Sequence, residues 1–343
     1  MNRRILIRVS GWHPSLPKAE VKAVLEAEGL AYDVILDSRM LLLVEADESS
    51  IEALKRRCSY VRRIALWIAS CRADPDSIID ALSRIDFPSF MEEGRSFKID
   101  TERLDPSMRG LSRRLEEAAG DAIGRRGFRV DLEKPDYIVV CFLDSGLAHI
   151  GIQVSRLKFT ELFMNRIPIR RPALHPSTLQ PDIARCLVNL SRAKAGDFLL
   201  DVFCGVGGIL IEAALIGCRI AGIDMDMDMI RKAESNLRGY GLVFDGLIRG
   251  DARRIPFSNV DRIVTDPPYG RASSTKGVNP VKLIDDFLRE AYDTIRRGGY
   301  LCFMSPIEFE ASRLVEDAGF VIIEKYIQRV HGNLTREILV CKR

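Results

Sequence analysis

Leu199-Leu200-Asp201-Val202-Phe203-Cys204-Gly205-Val206-Gly207-Gly208 is the stretch that decides the fold. An apolar run ends on an acid, and clustered glycines lead into a second apolar run, Ile209 to Ile216. This predicts a buried strand, a tight turn and a helix. Glycines at such a turn let a ligand approach the backbone closely. The spacing departs from the dinucleotide fingerprint, whose third glycine would fall where Leu210 stands. Asp201, ahead of the glycines, suits a ligand with a cationic amino group better than one with a pyrophosphate. Further along, three more strand-like runs end on acids. Arg219-Ile220-Ala221-Gly222-Ile223 leads to Asp224 and Met225, about 20 residues on, where an acid can hold ribose hydroxyls. Gly246-Leu247-Ile248-Arg249 leads to Gly250-Asp251-Ala252, a carboxylate and a small residue suited to an adenine amino group and ring. Val260-Asp261-Arg262-Ile263-Val264-Thr265 leads to Asp266-Pro267-Pro268-Tyr269 and Gly270.

The last turn carries chemistry of its own. Its two prolines fix φ and remove two backbone donors, which leaves the local carbonyls free to accept. Asp266 adds a carboxylate and Tyr269 a flat ring for stacking. Acceptors around a stacking ring suit an exocyclic NH2 group of a nucleobase. Taken singly, Asp-Pro-Pro also makes a plain surface turn, and Gly-x-Gly is often only a tight turn. Four strand ends in order, carrying Asp201, Asp224, Asp251 and Asp266, fit S-adenosyl-L-methionine, whose amino acid, ribose and adenine are each matched.

Asp-x-Phe-x-Gly-x-Gly-Gly, Gly-Ile-Asp, Gly-Asp-Ala and Asp-Pro-Pro-Tyr resemble the ordered motifs of Rossmann-fold methyltransferases that modify exocyclic amines. Residues 170–343 are similar, more closely, to the archaeal tRNA guanine-10 N2-methyltransferases. The narrower match rests on Arg171-Pro172-Ala173-Leu174-His175-Pro176-Ser177-Thr178-Leu179-Gln180-Pro181 and on Arg329-Val330-His331-Gly332-Asn333-Leu334-Thr335-Arg336-Glu337-Ile338. Residues 60–160 resemble a THUMP RNA-binding domain, through Phe128-Arg129-Val130-Asp131-Leu132-Glu133-Lys134-Pro135-Asp136. The resemblance implies methyl transfer to the N2 amine of a guanosine in tRNA, at position 10, with one or two methyls added. Other tRNA or rRNA positions stay open, as does a DNA amino-methyltransferase, because Asp-Pro-Pro-Tyr also suits cytosine N4 or adenine N6. Asp266, Pro267, Pro268 and Tyr269 are the expected catalytic turn. Thr178, Asp201, Phe203, Gly205, Gly207, Asp224, Met225, Asp251 and Ala252 are expected to bind the cofactor. Arg109, Arg113, Arg114, His331 and Arg336 are the RNA-binding candidates. The resemblance also raises a partner besides tRNA, a small zinc-binding methyltransferase activator protein that relatives in this group can require.

Composition agrees with this class. The 343 residues suffice for two or three domains with ample core. Lys+Arg number 51 against 48 Asp+Glu, so contact with nucleic acid must come from local clustering rather than an overall basic field. The eight cysteines include no Cys-x-x-Cys pair and lie mostly in apolar runs, which reads as buried free thiols in a reducing cytoplasm. Cys204 reads as a small packing residue. Four histidines without a Cys/His cluster argue against a zinc site, and no metal is expected. The chain opens directly on a strand, with no signal peptide and no run long enough to span a membrane, so a cytoplasmic location is expected.

Before the linker, two units are expected. Residues 1–70 alternate as strand, helix, two strands, helix, strand, a ferredoxin-like order. In residues 71–160, Asp76 is expected to cap a helix over Ile78 to Ile85. A strand over Phe97 to Thr101, a basic helix over Met108 to Arg125 and strands over Tyr137 to Leu143 and Ala148 to Val154 follow. The arginines of that helix suit phosphate contacts, although Glu116 and Glu117 beside them equally suit a solvated face. Residues 161–175 read as a linker stiffened by proline, holding the halves at a fixed distance. Residues 176–343 alternate strand and helix to about residue 320, which predicts an α/β Rossmann-like class I methyltransferase sheet. Phe320 to Gln328 and Glu337 to Lys342, joined through Gly332-Asn333, must pair antiparallel because the connection is short.

Overall fold

A computed structural model describes residues 2–105, 112–176, 178–269, 279–331 and 334–343. Two compact units emerge. Met1–Pro14, Leu30–Lys55 and Val61–Leu157 form the first; Ser15–Gly29, Arg56–Tyr60 and Lys158–Arg343 form the second.

The chain begins with β1 (Asn2–Val9), α1 (Leu16–Ala27), β2 (Tyr32–Asp37), β3 (Leu41–Asp47), α2 (Ser49–Arg57) and β4 (Val61–Arg72), in the expected order. Then come α3 (Pro75–Ser83), β5 (Ser96–Arg103), α4 (Ser112–Gly124), β6 (Arg129–Val130), β7 (Tyr137–Asp144) and β8 (Leu147–Arg156). The eight strands make one sheet, β2-β3-β1-β4-β8-β7-β5-β6. Its first four strands have the ferredoxin-like arrangement, antiparallel throughout.

Two expectations are corrected here. The boundary at residue 70 falls inside β4, whose far edge pairs with β8 from Arg63–Arg156 to Arg72–Leu147. The apolar run stops at Ile68, but backbone pairing does not need apolar side chains, and an unpaired edge would leave its N–H and C=O groups without partners. The helix after β4 is capped by Asp74, which accepts from the Ser77 N–H at 2.8 Å, and not by Asp76. Pro75 at the first helical position makes the residue before it the cap. In the basic helix, Arg109 lies outside the described residues, and Arg113 and Arg114 are described in backbone only. The core under this half of the sheet joins Phe97, Leu115, Ala119, Ile123, Val139, Leu143 and Ile150.

The second unit holds α5 (Phe159–Phe163), α6 (Pro181–Leu190), β9 (Phe198–Asp201), α7 (Gly208–Leu215), β10 (Arg219–Asp224), α8 (Met227–Gly239) and β11 (Gly246–Arg249). It continues through β12 (Val260–Thr265), α9 (Pro280–Thr294), β13 (Ile295–Pro306), α10 (Ala311–Asp317), β14 (Val321–His331) and β15 (Leu334–Lys342). The sheet runs β11-β10-β9-β12-β13-β15-β14. It is parallel from β11 to β13, and β15 is antiparallel to both of its neighbours, as expected. The turn through Gly332-Asn333 lies outside the described residues. Successive strand residues feed opposite layers. Leu199, Ile220 and Val264 pack with Leu187 of α6, Leu210 of α7 and Leu237 of α8. Leu200, Ala221 and Ile263 pack with Phe287 and Leu288 of α9 and Val315 of α10.

The second unit also takes in α1, which places part of residues 1–70 with the seven-stranded sheet. Leu16, Ala19, Ala23 and Tyr60 share a core with Ala184, Leu187 and Val188. The buried Glu20 carboxylate accepts from the Ser59 N–H and hydroxyl, the Tyr60 N–H and the Asn189 amide at 2.6–3.0 Å. Residues 161–175 are likewise no free spacer. Arg166 pairs with Glu212 at 2.8 Å, the Tyr240 hydroxyl donates to the Asn165 carbonyl, and Ala173 bonds Asn236 through both backbone groups.

Candidate active site

The parallel strands β9, β10 and β12 end side by side, and each delivers an aspartate to the carboxyl edge of the sheet. This edge is where ligands bind in open α/β sheets. Between β9 and α7 the chain makes its tight turn through Gly205 (φ +49°) and Gly207 (φ +83°). Both sit in the left-handed region that favours glycine. The neighbouring strand comes close: a Cβ on Gly222 of β10 would meet Leu210 Cδ1 at 2.7 Å and Cys204 Sγ at 3.0 Å. Cys204 is thus the packing residue expected of it, and burial pushes its thiol well up.

Asp201 is buried, 1% exposed. Its Oδ1 accepts from the Thr265 hydroxyl at 2.6 Å and the Phe203 N–H at 3.2 Å. Both donors are neutral. Burial pushes the carboxyl up to about 7 against those two bonds, and the charges of Asp224 and Asp266 add to the rise. Asp224 accepts from the Gly205 N–H at 3.0 Å and the Asp226 N–H at 2.9 Å, one on each oxygen. A carboxylate has about four acceptor positions, so it can serve several donors at once. Met225 follows on the rim, 37% exposed.

The turn after β12 is built differently. The Tyr269 hydroxyl donates to the Asp266 carboxylate, and the Arg336 guanidinium lies over the Tyr269 ring, 5.1 Å from its centroid. Arg336 Nη1 is 3.8 Å from Asp266 Oδ2. Burial raises the Asp266 carboxyl; Arg336 and the Tyr269 hydroxyl oppose the rise. Arg336, an RNA-binding candidate, is thus packed against the Asp266–Tyr269 turn, brought there by β15. Pro267 is buried.

Other expected residues stand further from a ligand role. Asp251 is held by its neighbour: Arg253 binds both carboxylate oxygens at 2.7–3.1 Å. Ala252, 2% exposed, packs in the core with Leu200 and Ile223. Phe203 meets Phe287 edge to face at 5.5 Å. The Thr178 hydroxyl donates to the His175 carbonyl at 2.6 Å, closing a local turn before α6. His331 ends β14, with its side chain outside the described residues.

Two residues that organise the site were not singled out. Thr265 bridges β12 to Asp201, and the Phe203 N–H reaches its hydroxyl at 3.2 Å. Asn236, fully buried on α8, accepts from the Ala173 N–H and donates to the carbonyls of Ala173 and Val206, which ties the segment before α6 to the glycine turn. Asn236 was detectable as a polar residue on the apolar face of a helix, beside Ala233 and Leu237.

The residues present fit S-adenosylmethionine. A buried carboxylate meets only neutral donors among the described residues, a second carboxylate stands at the next strand end, and the glycine turn lets a ligand lie against backbone. No helix among the described residues is long and apolar enough to cross a membrane.

Comparison with known proteins agrees. A family model described as RMKL-like, methyltransferase domain, matches residues 168–338, and the THUMP domain model matches residues 72–153. The tRNA (guanine(10)-N2)-dimethyltransferase of Methanothermobacter thermautotrophicus is 37% identical over 341 residues, 99% of each chain. That of Pyrococcus abyssi is 32% identical over 335 residues, 96% of this chain and 97% of the relative. The fold is similar to TrmN from Thermus thermophilus, with a TM-score of 0.57 and 23% identity over 99% of both chains. It is also similar to SMU.472 in complex with SAH, with a TM-score of 0.58 and 16% identity over 99% of this chain and 97% of that one. The two structures support the fold alone. The full-length identities go further: the chain belongs to the tRNA (guanine(10)-N2)-dimethyltransferase family, a group of S-adenosylmethionine-dependent methyltransferases.

Proposed function

We propose that this chain methylates the exocyclic N2 amine of guanosine 10 in tRNA, once and then again. The observation that carries the proposal is the meeting of Asp201, Asp224 and the Asp266–Tyr269 turn at one sheet edge. When bound, S-adenosylmethionine supplies a methyl group on a cationic sulfur, which needs no further activation. Asp201 receives its amino group and Asp224 its ribose hydroxyls. The Asp266 carboxylate and the Pro267 carbonyl each accept one N–H of the guanine amine, which turns the nitrogen lone pair toward the methyl. Such positioning contributes several kcal/mol of barrier lowering. The proton lost from nitrogen passes to Asp266, whose raised carboxyl suits that role. The Tyr269 hydroxyl must leave Asp266 as the base arrives, and its ring then stacks on a base drawn out of its helix. After one transfer the amine still carries an N–H, so a second transfer is chemically allowed.

The THUMP match supports a tRNA grip by the first unit, with Arg113 and Arg114 of α4 on phosphates. Arg113→Glu and Arg114→Glu are expected to lower the salt dependence of tRNA affinity by about one unit of slope each.

Nucleoside mass spectrometry of unmodified tRNA incubated with the protein and methyl donor tests the reaction. N2-methylguanosine and N2,N2-dimethylguanosine are expected, and both vanish when guanosine 10 is replaced. Methylated adenosine or cytidine instead would overturn the base assignment. Adding the zinc-binding activator protein to the same assay decides whether that partner is required.

A further inference from the structure

A largely buried cluster of three arginines lies beside α7 and shares the Glu212 carboxylate. Arg166, Arg171 and Arg185 gather near Glu212. The Glu212 carboxylate is wholly buried and already committed: it accepts from Arg166 Nε at 2.8 Å and Nη2 at 3.4 Å, and from Arg185 Nε at 3.0 Å and Nη2 at 2.8 Å. Arg171 receives none of these bonds. Its Nε donates to the Arg166 carbonyl at 2.8 Å and its Nη2 reaches the Leu179 carbonyl at 3.5 Å. Its Nη1 is buried and has no hydrogen-bond partner among the described residues, although the residue is only 5% exposed.

That bare nitrogen lies against the glycine turn. A Cβ on Gly208, the first residue of α7, would sit 3.1 Å from Arg171 Nη1. The start of a helix is its positive end, which disfavours a guanidinium there. Burying an uncompensated charge adds a further penalty. Burial pulls the Arg171 proton affinity down, and Glu212 only partly restores it. An arriving anion would relieve all three conditions at once, since it gains the free N–H, the helix end and the excess charge. Asp201, which ends β9 just before the same turn, is a buried carboxylate without a cation among the described residues. The glycine turn thus has a carboxylate lacking a cation at its start and a guanidinium lacking an acceptor at its end. A zwitterionic amino acid end answers both.

We propose that Arg171 binds the carboxylate of the cofactor's methionine end, opposite the amine held at Asp201. The inference rests on the S-adenosylmethionine reading above. Calorimetry with three ligands tests it: S-adenosylhomocysteine, its decarboxylated analogue, and 5′-methylthioadenosine, which lacks the amino acid end. Wild-type protein is expected to bind S-adenosylhomocysteine roughly 10–100-fold more tightly than the decarboxylated analogue, the range of a hydrogen bond to a charged group. Arg171→Gln should erase that difference and leave 5′-methylthioadenosine affinity within about twofold. Arg171→Lys, which keeps the charge, should restore part of it. Equal loss for all three ligands would mean a structural role and overturn the proposal. So would wild-type protein that binds the decarboxylated analogue as well as S-adenosylhomocysteine, a result that needs no variant. If wild-type protein binds none of the three, the cofactor reading itself falls and this proposal with it.

Discussion

The two edges of the parallel sheet carry the same residue, aspartate, in opposite circumstances. At the amino edge, where strands begin, each acid meets an arginine. Asp197 pairs with Arg262 at 3.0 Å, Asp245 with Arg219 at 2.7 Å, and Asp261 with Arg296. Asp261 also accepts from the Phe198 N–H at 2.8 Å, and these partners outweigh burial and hold its carboxyl below the usual range. At the carboxyl edge, Asp201 has only a hydroxyl and an N–H among the described residues, and burial lifts it to about 7. Asp266 is lifted too, although Arg336 and Tyr269 are at hand. One edge satisfies its charges within the fold; the other keeps them for something else. A carboxylate that folding leaves costly is a carboxylate that a ligand can make favourable. Asp251 is the exception on the carboxyl edge, because Arg253 already holds it.

Substitutions along the two edges can break this contrast, and the largest effect belongs to Asp266. Asp266→Ala is expected to lower single-turnover methylation by roughly 10²–10⁴-fold while tRNA and S-adenosylhomocysteine affinities hold. Unchanged turnover would remove the carboxylate from the chemistry.

Asp201→Asn is expected to weaken S-adenosylhomocysteine roughly 10–100-fold, since an ammonium loses its charged partner. The same change should stabilise the ligand-free protein at pH 8. The sign follows from linkage. A carboxyl raised in the fold favours the folded state fully below its unfolded value near 3.8, and that contribution is lost as pH rises through about 7. Asparagine does not ionise, so its advantage in thermal melting should shrink toward pH 4. In wild-type protein, ligand binding below pH 7 must first expel the Asp201 proton. Calorimetry in buffers of different ionisation heat should therefore detect proton release at pH 6 and little at pH 8.

A loss of similar size is expected at Asp224, where hydroxyls and not a charge are held. Asp224→Ala should weaken S-adenosylhomocysteine by roughly 1–3 kcal/mol. Unchanged calorimetric affinity would take Asp224 out of the site.

The amino edge supplies the control. Asp261→Asn should reduce stability by about 1 kcal/mol, a shift of a few degrees in Tm, and leave ligand affinity untouched. Here the carboxyl is depressed in the fold, so its contribution is present above the unfolded value and lost as pH falls through the folded one. The difference between wild type and variant should therefore close in acid. A ligand-affinity change at Asp261 equal to that at Asp201 would erase the distinction between the edges.

Much of this was legible in the chain. An acid that closes an apolar run marks a strand end, and four such ends in order, with glycines after the first, specify a parallel sheet and its ligand edge. The short connection before β15 dictated an antiparallel pair. These features are local, because strand period, turn residues and loop length act over a few positions. What lay outside local reach was pairing between distant segments. The meeting of β4 with β8 joined two expected domains into one sheet, and α1 left its neighbours in sequence for the core of α6. Arg336 came to Asp266 only because β15 is inserted beside β13. Arg253 took Asp251 because a side chain two residues away was free to turn toward it. Residue types and their periods therefore determined the sheet, the turns and the kind of chemistry. Only the tertiary structure decided which charges found partners, because a charge is satisfied by whatever the folded chain brings within a few ångströms, and sequence distance does not measure that.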